Sequence, residues 1–363
     1  MEGFLINNNF NIGNKKFTKG EFYMSDANLK RELNRTFKRT EILTGKDVSK
    51  SVSYINIDSL IKKATKDAIF NNLLIIRFGG VGDLIALTSI IDYFEDKQCH
   101  FVTKKKYFPI FDWFYNKPKL YSTEKAISKD FIPKAKNFDT WARLRSEQII
   151  EMGSRKNWME VFFDVIEEKE PGKEFLRPSL RTDRVSNKQS NIQKYSTVKK
   201  SLIVCNKATI MMRTCHVTDI IESLPDREKY TIFVYKQNLS EKDKKLKNVI
   251  VLDTDMETFL LDLYDADMVI SVDTGALHFR EGIEKPAIGL YNSFTTESRT
   301  KYYQFTKSYD LKSDCELQPC FLHENVNTKF CPKGNKDMFA APCFDSKINK
   351  DLKRQLKEIF KEL

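Results

Sequence analysis

The chain has 363 residues, more than the roughly 100 to 200 of a typical domain, so two core-bearing domains with decoration are expected. Hydrophobic residues make up 41% and aromatic residues 12%, which supplies cores and excludes a disordered or fibrous main state. Lys and Arg number 61 against 50 Asp and Glu, a net charge of +11, and that excess favours anionic partners: nucleotides, nucleic acid or a phosphate-bearing surface.

Residues 1 to 68 are charged and Asn-rich and read as an N-terminal extension, with helices expected over Asp26 to Thr40 and Ile57 to Ala68. Met1 to Lys15 lacks a charged-then-apolar secretory pattern, and no apolar run approaches the roughly 20 residues of a membrane span. The expected location is therefore cytoplasmic, with peripheral contact at the inner membrane surface as an option. Leu73 to Phe78 is a short apolar run suited to a buried parallel strand, followed at once by Gly79-Gly80-Val81-Gly82-Asp83. Apolar residues then recur at helical spacing from Leu84 to Phe94, and His100 to Thr103 reads as the next strand, which makes a βαβ unit. A helix is expected from Trp158 to Glu168. The stretch 180 to 200 is polar and aperiodic and reads as a linker. A second alternation follows: strands at Ser201 to Cys205, Tyr230 to Tyr235, Val249 to Leu252, Met268 to Val272 and Ala287 to Tyr291, with helices at Val217 to Ser223, Met256 to Tyr264 and Ala276 to Gly282. The expected fold class is α/β, with Rossmann-like parallel-sheet domains over 69–190 and 198–345 and a closing helix from Ser346 to Leu363.

Two strand-to-helix turns carry chemistry. At the first, Gly80 and Gly82 let backbone approach a ligand, and Asp83 opens the next helix, where a carboxylate serves either as a cap or as a general base. The dinucleotide fingerprint requires glycine where Ile85 stands, and Gly45-Lys46 is followed by Asp47, so neither that fingerprint nor a Walker A motif is present. At the second turn, Asp273-Thr274-Gly275 ends a strand and His278 follows one helical turn on; helix-start amides and a hydroxyl there suit an anionic diphosphate. The competing reading is an ordinary cap with a packed histidine. Asp253-Thr254-Asp255 imitates an acidic metal motif, and paired acids in such a loop are commonly caps.

Seven cysteines in a chain with no secretory pattern should be thiols. Cys315, Cys320, Cys331 and Cys343 cluster with 4, 10 and 11 intervening residues. Four thiolates suit tetrahedral zinc or iron in a structural role, the alternative being packed thiols that stabilise a loop.

Leu73 to Ile91, LLIIRFGGVGDLIALTSII, resembles the N-terminal signature of the heptosyltransferase-like glycosyltransferases (family 9, GT-B fold). Ala266 to Tyr291, ADMVISVDTGALHFREGIEKPAIGLY, resembles their donor-site signature. The likeness spans about residues 70 to 345; the family often has serines where Gly79 and Gly80 stand. The Cys-rich loop is similar to one found in many members. The resemblance implies two Rossmann-like domains facing a cleft and an inverting, metal-independent transfer of a heptose or related sugar from an ADP- or UDP-linked donor. It further implies that Asp83 takes the proton of the acceptor hydroxyl. Asp273, Thr274, Gly275 and His278 would contact the nucleotide sugar; Arg213, with Lys207 a weaker match, would meet its diphosphate; and Thr295 and Thr296 would lie near the donor phosphates. The anionic acceptor is expected to be a lipopolysaccharide-type or other surface glycan, with hydroxymethylated DNA bases or a protein as alternatives. A non-catalytic nucleotide-binding scaffold would keep the folds without requiring Asp83.

Overall fold

The computed structural model describes residues 2–6, 10–12, 15–17, 21–24, 52–56, 72–77, 80–95, 98–122, 127–128, 135–138, 156–165, 171–195, 198–208, 211–320, 331, 333–334, 339–361 and 363. The helices expected over 26–40 and 57–68 lie outside them. The chain groups into two compact units, one of residues 1–79, 94–108 and 117–144, the other of residues 80–93, 109–116 and 145–363. Among the described residues no helix is long and apolar enough to cross a membrane.

The first unit contains strands where the sequence reading expected only an extension. These are β1 (Glu2–Ile6), β2 (Phe10–Ile12), β3 (Lys15–Phe17), β4 (Glu21–Met24) and β5 (Val52–Asn56). β6 (Asn72–Ile76) follows in the same unit, and the second unit then takes over with helices α1 (Val81–Ala86) and α2 (Thr88–Tyr93). The first unit resumes with β7 (Gln98–Thr103), β8 (Lys119–Ser122), β9 (Ile127–Ser128) and β10 (Ala135–Phe138). β5-β1-β4-β9 form an antiparallel sheet and β10-β6-β7-β8 a parallel one. Ile75, Phe101 and Val102 of the parallel sheet are fully buried.

In the second unit the helix expected as one piece from Leu84 to Phe94 is α1 and α2, separated at Leu87. There the Thr88 hydroxyl donates to the Ile85 carbonyl at 2.8 Å, a local bond of the kind that bends helices. α2 is tied down at both ends: Ser89 Oγ donates to the Arg177 carbonyl at 2.6 Å, and Tyr93 packs edge-on against Phe163 and Phe175. α3 (Trp158–Val165) supplies Phe163, and the polar stretch 180 to 200 carries a short helix, α4 (Asn191–Lys194), capped by Ser190.

The main sheet is built from β11 (Lys200–Cys205), α5 (Val217–Ile221), β12 (Tyr230–Tyr235), β13 (Val249–Leu252), α6 (Met256–Asp265), β14 (Met268–Val272), α7 (Gly275–Gly282), β15 (Ala287–Tyr291), α8 (Thr296–Thr300) and β16 (Thr306–Asp310). Its six strands are parallel in the order β13-β12-β11-β14-β15-β16. One face carries a core of Leu202, Val204, Ile220, Val234, Ile270 and Leu290, closed by Leu352, Leu356 and Phe360 of α9 (Leu352–Phe360). These three recur every four residues on one stripe, the spacing that buries one side of a helix.

Two buried charges hold α7 in place. Arg280 donates to the carbonyls of Leu263, Ala266 and Pro286 at 2.7, 2.9 and 2.7 Å, fastening the helix to the end of α6 and the start of β15. Glu281 accepts from the backbone N–H groups of Gln304, Phe305 and Thr306 at 2.7 to 3.0 Å, which fixes where β16 begins.

Candidate functional site

Strand order in the six-stranded sheet reverses between β11 and β14, and in open α/β sheets ligands bind outside the carboxyl ends of the strands at such a switch. Two turns leave these strand ends. After β11, Asn206 Nδ2 donates to the carbonyls of Cys215 and Asn238 at 2.7 and 3.1 Å, anchoring the loop that carries Arg213. After β14, Ser271 Oγ lies 2.8 Å from Thr274 Oγ1, and Thr274 caps α7 by accepting from the Ala276 N–H. The turns meet where Arg213 Nη1 donates to Asp273 Oδ2 at 2.9 Å.

The start of α1 lies against the start of α7, glycine on glycine. A side-chain carbon on Gly275 would come 2.7 Å from Val81 Cβ and 2.9 Å from the Gly82 nitrogen, and one on Gly82 would overlap the His278 ring. Gly80 has φ 80°, a conformation that favours glycine, and any side chain there would overlap the Asp83 carboxylate. Asp83 therefore folds back over the N-terminal turn of its own helix, beside the start of α7. Gly80, Gly82, Asp83, Arg213, Asp273, Thr274, Gly275 and His278, widely separated in sequence, are gathered at one place.

Asp273 is 4% exposed. Burial pushes its carboxyl up, but Arg213 first, then Arg299 and His278, hold it below the usual carboxylate range, so it is ionised. Burial drives His278 the other way, down to about 4, against the opposing pull of Asp273, so the ring is neutral at pH 7. Its 4.0 Å approach to Asp273 Oδ1 is consequently not an ion pair at that pH.

Sequence reasoning missed three residues here. Arg299 Nε stands 3.9 Å from Asp273 Oδ2, and its guanidinium lies 3.6 Å from the ring centre of Phe294 and 5.2 Å from that of Trp158. Trp158 donates from Nε1 to the Arg299 carbonyl at 2.8 Å and packs its ring 4.6 Å from that of His278. Tyr303 Oη is 2.6 Å from His278 Nδ1. None belongs to either quoted signature: Trp158 opens α3, Arg299 lies on α8 and Tyr303 precedes β16, and only the fold brings them together.

Lys207, Thr295 and Thr296 each have protein partners. Lys207 is exposed and donates to the Gln237 carbonyl at 3.1 Å, with Phe339 beneath it. Thr295 spends its hydroxyl capping α8 by accepting from the Ser298 N–H at 3.1 Å. Thr296 donates from N–H and hydroxyl to the two oxygens of Asp310, both at 2.9 Å. Asp255 is an N-cap, accepting from the Thr258 N–H at 2.8 Å, while Asp253 is exposed beside Lys236.

Cys315, Cys320, Cys331 and Cys343 line one cavity of about 1190 Å³, none of whose walls is Asp83, Asp273 or His278. Burial pushes the Cys320 thiol up to about 12 and that of Cys343 up to about 11, each raised further by the neighbouring cysteines, and Asn292 donates to Cys343 Sγ at 3.0 Å. Four thiols at one cavity suit a thiophilic ion chemically. Among the described residues, no three His, Cys, Asp or Glu side chains are gathered as they would be around a metal ion.

No protein-family model matches this sequence, and no curated protein does. Among solved structures, the chain is similar to the iron-containing dodecameric glycosyltransferase TibC from enterotoxigenic E. coli H10407, with a TM-score of 0.50 and 10% identity over 80% of this chain and 77% of that one. It is also similar to a glycosyl transferase family 9 protein from Veillonella parvula DSM 2008, with a TM-score of 0.46 and 9% identity over 69% and 90%. A third is E. coli ADP-heptose LPS heptosyltransferase II, with a TM-score of 0.40 and 10% identity over 66% and 90%. The TibC likeness gives the fold class, α/β of the GT-B type. The chemistry rests on the site.

Proposed function

We propose that the protein is a glycosyltransferase that moves a sugar from a nucleotide-sugar donor to a hydroxyl group of an anionic acceptor. The observation that carries this reading is the junction of α1 and α7, where a helix-start carboxylate, Asp83, adjoins an anion cradle. That cradle consists of the N-terminal amides of α7 and two guanidinium groups, Arg213 and Arg299, around one buried carboxylate. In this reading Asp83 removes the proton of the acceptor hydroxyl as the oxygen attacks the anomeric carbon from the face opposite the leaving group. The pair of arginines and the helix dipole stabilise the negative charge that gathers on the departing nucleoside diphosphate. The transfer inverts the anomeric carbon, and no metal takes part in the step.

The sugar we propose is heptose or a related one, on an ADP or UDP carrier, and the acceptor a lipopolysaccharide-type or other surface glycan. The net charge of +11 supports an anionic acceptor, and its meeting at the cytoplasmic face of a membrane is part of the same proposal. The four cysteines belong to the same reading as a structural zinc or iron site, tested by metal analysis of the purified protein. The division into an acceptor domain, 69–190, and a donor domain, 198–345, is likewise part of the proposal.

A thermal-shift screen against nucleotide sugars and their nucleoside diphosphates tests the donor assignment, because a ligand that binds the native state raises the melting midpoint as its concentration exceeds its dissociation constant. One nucleotide should raise the midpoint and its sugar conjugates should rank. A flat response to ADP, UDP and their sugars alike would remove the donor site.

A further inference from the structure

His278 sits in a clamp. Trp158 packs against one side of the ring at 4.6 Å, Tyr303 meets it edge-on at 5.8 Å, and Gly82 closes the third side so tightly that a side chain there would overlap it. The ring cannot turn over without breaking these contacts, so its two nitrogens have fixed neighbours. Nδ1 faces Tyr303 Oη at 2.6 Å. Nε2 faces Gly82 and is 4.0 Å from the nearest Asp273 oxygen, beyond hydrogen-bond reach.

Which nitrogen carries the single proton follows from the phenol. Burial pushes the Tyr303 hydroxyl well above its ordinary range, so it keeps its proton. Among the described residues, His278 Nδ1 is the hydrogen-bond partner of that hydroxyl. If Nδ1 carried hydrogen and donated to Oη, the phenolic proton of the half-buried Tyr303 would have no acceptor among the described residues, at the cost of an unmade hydrogen bond. The phenol therefore donates to Nδ1, and the ring hydrogen is on Nε2, which makes no hydrogen bond among the described residues.

We propose that Tyr303 is a positioning residue that fixes His278 in the Nε2–H tautomer, presenting a neutral hydrogen-bond donor to a phosphate oxygen bound where α1 meets α7. The identity of that oxygen, a diphosphate oxygen of the nucleotide, rests on the glycosyltransferase reading; the tautomer does not. A neutral donor holds an anion without adding a charge that titrates near neutrality. The charged and titratable groups around the ring are Asp83 from α1, Arg213 from the turn after β11, Asp273 from the turn after β14, Arg299 from α8 and Tyr303 itself. Removing Tyr303 leaves every one of the charged groups in place.

The test is nitrogen-15 NMR of the histidine-labelled full chain, the His278 signals being those lost in His278→Gln. The tautomer is expected to show Nε2 protonated and Nδ1 bare at neutral pH, with Nδ1 shifting in Tyr303→Phe as it loses its donor. Titration with inorganic pyrophosphate, ADP and UDP should move Nε2. By calorimetry, Tyr303→Phe should weaken nucleotide binding about three- to tenfold, the size of one lost hydrogen bond. His278→Gln keeps an N–H near the Nε2 position and has no tautomers, so adding Tyr303→Phe to it should cost no further affinity. A proton on Nδ1 in the wild type, or an equal Tyr303→Phe loss in the His278→Gln background, would overturn the positioning role. An Nε2–H ring that none of the phosphate compounds moves would instead overturn the ligand assignment and count against the nucleotide-sugar reading.

Discussion

At the residue scale the site depends on two opposite responses to burial. Asp273 stays ionised because two arginines outweigh its desolvation, whereas His278, equally buried at 4% exposed, is kept neutral. That difference predicts a pH dependence of stability with a definite sign. An unfolded chain protonates His278 near pH 6.5, while the folded chain waits until about pH 4. Between those values the unfolded state binds more protons, so stability is full above pH 6.5 and falls as pH drops through the window. At about 1.4 kcal/mol per pKa unit the loss is about 3 kcal/mol. Asp273, being depressed, loses its contribution only below the usual carboxylate range. Urea midpoints at pH 7 and pH 4.5 check this: the wild type should lose about 2.5 kcal/mol more than His278→Gln over that interval, which stops short of the folded value. Equal losses would mean that the ring titrates in the folded state. Gly80 and Gly82 are sequence-legible as turn glycines; that one accommodates a carboxylate and the other a ring was not, because residues 82 and 278 become neighbours only once both turns are built.

At the element scale, the two motif turns owe their positions to ordinary caps and packing. Thr274 caps α7, Thr295 caps α8 and Asp255 caps α6. Replacing Asp255 by Ala should therefore cost about 1 kcal/mol of stability, and a chelator should leave wild type and variant melting unchanged relative to each other, as expected of a cap and not of a cation ligand. The stripe on α9 is a core feature: Leu356→Ala should cost about 2 to 5 kcal/mol in denaturant unfolding, while the exposed Lys357→Ala should change it by under about 0.5 kcal/mol. The apolar runs of β11, β12, β14 and β15 were readable because strands buried on both faces are nearly continuous in Val, Ile and Leu. β16, Thr306–Asp310, was not: it is an edge strand with only Thr306 buried, placed by Glu281 and pairing on one side. Arg299 was hidden for the same reason; it lies on α8, a five-residue helix too short to show a period.

At the scale of the whole molecule, the sequence indicated an α/β chain with two chemically marked turns, and the fold joins those turns at the strand-order reversal of the larger sheet. The strands among residues 2 to 56 escaped because they are only three to five residues long and most show no regular alternation of apolar and polar side chains. The central claim is that the joined turns transfer a glycosyl group with Asp83 as base, and Asp83→Asn tests it most directly. Nucleotide binding and glycosyl transfer should be measured on the same preparation, with the donor that gives the largest thermal shift. The account predicts that the variant binds that nucleotide with wild-type affinity while transfer falls by about 10² to 10⁴, the contribution of a positioned general base. Transfer within about tenfold of wild type would contradict it.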